Sequence, residues 1–245
     1  MIYAIATQKG GTGKTTTAAA LAQAAAHKGK AALAIDLDPQ CNLSYCLAAD
    51  DSKPGSYDLL HGAAAKDVTQ ITPAGIYVIA GSPDLQTETS GKGTARRLQK
   101  ALEQAKREYD IIIIDTPATA GELLYNALQA ADRLIIPLMA DAYNLQSLAQ
   151  ITDAARQIQT SNPDLKIAGV LLTQYDPRPI INRQLREMLE ENATAQGVPF
   201  LGVVRKAVAI QEAAALQVSL FNYAPKSKPA ADYMSIYEKL LEQEG

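Results

Sequence analysis

Short apolar runs without polar alternation recur along the chain: IYAIA at 2–6, AALAI at 31–35, IYVIA at 76–80, IIIID at 111–115, RLIIPL at 133–138, KIAGVLLT at 166–173 and PFLGVV at 199–204. Their length and β-branched content predict strands. A strand wetted on one face alternates in polarity, and these do not, so the sheet is expected to be covered on both faces and largely parallel. Between the runs the apolar period changes. Ala95, Leu98, Ala101, Leu102 and Ala105 fall on one helical stripe, and GKTTTAAALAQAAAHKG opens another helix. Strand and helix alternate, which gives an α/β fold: a mostly parallel twisted sheet with helices on both faces, binding its ligand at the carboxyl ends of the strands.

Composition narrows this picture. The 245 residues contain no Pro/Gly/Ser-rich divider, so residues 1–245 are expected to form one domain with a substantial core. A net charge of -3 argues against a strongly basic nucleic-acid binder and leaves room only for a local basic patch. Cys41 and Cys46 lack a second Cys/His pair to complete a zinc site and read as small buried residues in a reducing compartment. The N-terminus has no basic region ahead of its apolar run, and the alanine-rich stretch after it is broken by Gln23, His27 and Lys28, so no secretion signal or membrane span is expected.

The chemistry begins at TQKGGTGKTTT, residues 7–17. A phosphate-binding loop reads G-x-x-x-x-G-K-S/T, follows a strand and opens a helix. Here the context is right, but Gln8 stands where the first glycine belongs and Lys9 follows it. Gly10, Gly11 and Gly13 allow the backbone to curl so that N–H groups, that of Thr12 among them, surround an anion, and the helix start at Lys14, Thr15 and Thr16 adds partial positive charge. Lys14 is placed to reach the β- and γ-phosphates, and the Thr15 hydroxyl to ligate Mg²⁺. KGGTGKTTT resembles the deviant Walker A signature K-G-G-x-G-K-S/T of the ParA/MinD family of P-loop NTPases. The resemblance implies ATP and Mg²⁺ as cofactors, an ATP-dependent homodimer, and a signature lysine, Lys9, that crosses the dimer interface to the partner subunit's nucleotide, as an arginine finger does.

Two further segments fit the same family. AIDLDPQCN places Asp36 and Asp38 at the end of the second strand and resembles the D-x-D-P-Q element. That match makes Asp38 the carboxylate that orients the attacking water and puts Asp36 near the metal shell, with Cys41 where many members have glycine. Without the match, two acids at a strand end could equally cap the next helix. YDIIIIDTPA has the form of a Walker B segment, with Asp115 holding Mg²⁺ through a water.

Within the family, Cys41 and Cys46 both precede the Walker B segment, so the cluster-bridging cysteines of nitrogenase iron protein are missing, as is the C-terminal C-x-x-C of iron–sulfur scaffold relatives. At the C-terminus Tyr233, Ile236, Tyr237, Leu240 and Leu241 form an apolar stripe opposite Asp232, Glu238, Lys239 and Glu242. An acidic face suits core packing better than the anionic lipid that MinD-like helices bind, so no membrane partner is expected. Because the sequence opens directly on its first predicted strand, no helix-turn-helix domain is expected ahead of it. It therefore resembles the short ParA type: cytoplasmic, nucleoid-associated, binding DNA without sequence preference and stimulated by a ParB-like centromere-binding protein. A MinD-like positioning ATPase or a metabolic ATP-dependent enzyme of the same fold is the alternative. Arg178 matches a family arginine implicated in DNA contact, but the position near which a second is expected is Val208. Arg183, Arg186, Arg205, Lys206, Lys226 and Lys228 could supply the missing charge.

Overall fold

The computed structural model describes residues 1–88, 96–141 and 144–243. In its N-terminal half, β1 (Ile2–Ile5), α1 (Lys14–His27) and β2 (Ala32–Asp36) lead into the short helices α2 (Asn42–Cys46), α3 (Ser56–Leu60) and α4 (Ala65–Val68). A hairpin, β3 (Thr69–Ile71) and β4 (Tyr77–Ile79), precedes α5 (Arg97–Ala101), α6 (Ala105–Glu108) and β5 (Ile111–Asp115). Then come α7 (Glu122–Ala130), β6 (Arg133–Met139), α8 (Asn144–Gln159), β7 (Lys166–Tyr175), α9 (Ile180–Ala195) and β8 (Phe200–Arg205). The chain closes with α10 (Val208–Ala215), α11 (Leu220–Tyr223) and α12 (Lys228–Glu242).

Among the described residues the strands form one sheet in the order β3-β4-β2-β5-β1-β6-β7-β8. All neighbours are parallel except β3, which runs antiparallel to β4. The isoleucine runs explain the layering. Ile112 and Ile114 face one apolar core with Leu33 and Ile35, while Ile111 and Ile113 face the other with Tyr3 and Ile5. Helices α3 to α9 cover the first face, and α1, α2 and α10 to α12 cover the second. Every strand residue of β1, β2 and β5 is buried, as runs without alternation require.

Three expectations need correction. The stripe predicted as a single helix over 95–105 is two short helices, with Leu98, Leu102 and Ala105 still on the core; Ala95 lies outside the described residues. The two cysteines are free but half-buried rather than buried, because Cys41 sits in a left-handed turn (φ 54°) just ahead of α2. Leu241 leaves the α12 stripe and is exposed, whereas Tyr233, Ile236, Tyr237 and Leu240 pack on the core.

Candidate functional site

Strands β1, β2 and β5 end side by side, and the loop from β1 to α1 rises from their carboxyl ends. Gly11 and Gly13 stand at φ 74° and 82°, conformations that a side chain would strain. Gly10 has no such backbone demand, and a Cβ there would meet open space. Helix α1 starts at Lys14 with no side-chain cap and no acid in its first turn, so no side chain of its own first turn compensates its N-terminal partial charge. Thr12 is buried; Thr15 and Thr16 are half-buried at the helix start.

Lys14 is buried, and its Nζ donates to the carbonyl of Lys9 at 3.1 Å. Burial lowers its pKa, opposed by the nearby carboxylates of Asp115 and Asp38. Asp115 is wholly buried, and among the described residues neither of its oxygens has a hydrogen-bond partner. Burial pushes its pKa well up, and so does Asp36, which pairs with it in register across β2 and β5; Thr15 and Lys14 pull the other way. A buried carboxylate without partners is costly unless a cation or donor completes it.

Asp36 differs from its neighbour. Its Oδ2 accepts from both the backbone N–H and the hydroxyl of Ser44, at 2.8 and 2.7 Å, and its Oδ1 from the Asp38 N–H at 3.1 Å. Ser44 lies in the first turn of α2, so the helix-capping role belongs to Asp36. Burial raises its pKa to about 6. Asp38 is half-buried and, among the described residues, accepts only the Gln40 N–H, at 2.9 Å. Lys9 pairs with Asp141 of its own chain, Nζ to Oδ2, at 2.7 Å.

Sequence reasoning missed Asp141, Thr173 and Gln174. The Thr173 hydroxyl donates to the Thr12 carbonyl at 2.7 Å, and Gln174 Nε2 to the Gly11 carbonyl at 2.8 Å. Both follow the apolar run GVLL, where strand-end polar residues were the available signal. Beside the loop opens a cavity of about 360 Å³ lined in part by Gly13, Thr16, Thr173, Gln174, Val204 and Ile210.

The basic residues are less united. Arg178 forks onto Asp176 two residues away, Arg205 onto Asp232, and Arg186 reaches Glu190. The Arg178–Asp176 contact holds the Asp176 carboxyl down at about 2. Arg183, Lys206, Lys226 and Lys228 are exposed and in no ion pair among the described residues. Val208, near which the second family arginine is expected, is 65% exposed.

Residues 1–167 match the family described as an AAA domain. The chain is 34% identical to the sporulation initiation inhibitor protein Soj of Bacillus subtilis, over 98% of this chain and 97% of that one. It is 32% identical to the chromosome-partitioning ATPase Soj of Thermus thermophilus, over 97% and 94%. Among solved structures, cobyrinic acid a,c-diamide synthase from Mycobacterium smegmatis, with bound ADP and magnesium, superposes with a TM-score of 0.85 at 28% identity, over 99% of this chain and 94% of that one. With its loop, its strand-end acids and these nearly full-length relatives, the chain belongs to the ParA/MinD family of ATPases.

Proposed function

We propose that this chain is a partition ATPase of the ParA type, one domain over residues 1–245 that works in the cytoplasm on nucleoid DNA. It binds Mg-ATP, pairs with a second copy, coats DNA without sequence preference, and hydrolyses ATP when a ParB-like centromere-binding partner stimulates it. One observation carries the site: Asp115, a buried carboxylate without a hydrogen-bond partner among the described residues, and Lys14, a buried ammonium held by one backbone carbonyl, lie close to the same uncapped helix start. Those charges fit a metal cation and a phosphate. Mg²⁺ takes few protein ligands and is completed by water and phosphate oxygens, which suits Thr15 and Asp115 with Asp36 behind them. Gly10, which the fold itself does not require to be glycine, fits close approach of a phosphate.

Bound Mg-ATP supplies the phosphoryl group and neutralises charge that develops on it. The chain's own contribution is positional. Lys14 holds phosphate oxygens, the loop N–H groups surround them, and Asp38, the least engaged of the strand-end acids, orients the attacking water. Lys9 leaves Asp141 to reach the partner's nucleotide. The buried apolar face of α12 supports a reading without a membrane partner. The diamide synthase likeness favours a second reading, a metabolic enzyme whose hydrolysis needs a carboxylic acid substrate rather than DNA and a protein partner.

Titration with a fluorescent ATP analogue tests the site. Lys14→Ala is expected to lose nucleotide affinity by about 100-fold or more, because a charge-assisted contact to phosphate disappears. Wild-type affinity in a folded Lys14→Ala protein would move the nucleotide elsewhere.

A further inference from the structure

The end of β7 is tied to the β1–α1 loop by two side chains that no phosphate-loop motif contains. The Thr173 hydroxyl, buried, lies 2.7 Å from the Thr12 carbonyl and 3.1 Å from that of Leu138. Its methyl and hydroxyl also pack on Gly13, where a Cβ would meet them at 3.4 to 3.5 Å. Gln174 donates one amide hydrogen to the Gly11 carbonyl at 2.8 Å and reaches the Met139 sulfur at 3.4 Å with the same nitrogen. Its backbone is left-handed, φ 52°, a conformation a glutamine does not favour. Strain of this kind persists where surrounding contacts impose it, and it clusters at functional sites.

The consequence follows from peptide geometry. In a trans peptide the C=O and the next N–H point in opposite directions, and the chain contains no cis peptide among the described residues. Holding the Gly11 carbonyl toward Gln174 turns the Thr12 N–H away from β7. Holding the Thr12 carbonyl toward Thr173 does the same for the Gly13 N–H. We propose that Thr173 and Gln174 are positioning residues that fix two peptide planes of the phosphate loop before the anion arrives, so that their N–H groups are already aimed at it. The inference rests on the nucleotide reading and deepens it. Preorganised donors need no reorientation on binding, so losing the two carbonyl anchors weakens the hold on phosphate whatever base is attached.

The test separates this from contact with the base, since both side chains also line the adjacent cavity. Dissociation constants for Mg-ATP and for base-free inorganic tripolyphosphate are measured by competition against a fluorescent ATP analogue. Thr173→Val, which keeps the shape and removes the hydroxyl, and Gln174→Ala should each weaken both ligands by the same factor, about tenfold for one lost anchor. Thr173→Ser should restore wild-type values. Gln174→Gly provides the readout that a merely structural role would not move: it relieves the left-handed strain, so the ligand-free melting temperature should hold or rise while affinity for both ligands falls. Weakened ATP with unchanged tripolyphosphate would reassign the two residues to base contact and overturn the proposal. Unchanged affinity for both ligands would overturn it equally. Wild-type protein that binds neither ligand would remove the nucleotide reading itself, an outcome distinct from either.

Discussion

Asp36, Asp38 and Asp115 share the carboxyl end of two neighbouring strands, yet their surroundings divide them. Asp36 is engaged by Ser44 and the Asp38 N–H, Asp115 is buried with no donor among the described residues, and Asp38 is half-buried and accepts the Gln40 N–H. Water positioning needs an acid that is accessible and not already held by several donors, and among the three Asp38 is the one that is only half-buried. Asp38→Ala should therefore retain nucleotide affinity while stimulated turnover falls by about 100-fold or more, read as phosphate release alongside nucleotide titration. The competing structural role is small. Its one bond to the Gln40 N–H predicts a loss of about 1 kcal/mol in stability with near wild-type hydrolysis. Cys41 and Cys46 stay out of the chemistry, since burial raises both thiols to about 11 and keeps them protonated.

Helix α12 lies against α1, and its Tyr233 hydroxyl meets the Thr17 hydroxyl at 3.4 Å beneath the phosphate loop. Burial raises the Tyr233 phenol from 10 to about 12, so the folded protein keeps a proton that the unfolded chain releases. This group's contribution to stability is complete below pH 10 and is lost as pH rises through about 12. Urea unfolding across that window should show a steeper decline for wild type than for Tyr233→Phe, whose deficit at neutral pH is the Thr17 bond, about 1 kcal/mol or less. A parallel decline in both proteins would place the titration elsewhere.

The elements themselves were legible to very different degrees. Seven apolar runs marked β1, β2 and β4 to β8 to within about two residues, because strands buried on both faces leave an uninterrupted signal. The edge strand β3 is three residues long and half-exposed, too short to show a period. The α5–α6 stripe kept its buried positions through a break that periodicity does not reveal. In the site, the loop and the strand-end acids were readable because they are local. Lys9–Asp141 and Thr12–Thr173 join positions 132 and 161 residues apart, and a single sequence carries no record of such pairings.

At the scale of the whole molecule, the nucleotide site and the basic residues after β7 and β8 are linked through the loop contacts of Thr173 and Gln174 and the cavity that Arg178 and Lys206 also line. Net charge is -3, so the proposed DNA binding depends on how many local cations are left to neutralise phosphate. Arg178 is engaged by Asp176. Asp176→Asn should release it and tighten binding to labelled duplex several-fold at low salt, with a steeper salt slope, as followed by fluorescence anisotropy. An unchanged slope would place the DNA contact away from Arg178. The central claim is that ATP joins two copies through Lys9, and mass measured by light scattering after size exclusion tests it most directly. Wild type should elute as a 26.1 kDa monomer without nucleotide and at twice that mass with Mg-ATP, while Lys9→Ala binds the fluorescent analogue yet stays monomeric. A wild-type mass unmoved by ATP, or a Lys9→Ala protein that loses nucleotide binding as fully as Lys14→Ala, would contradict the account.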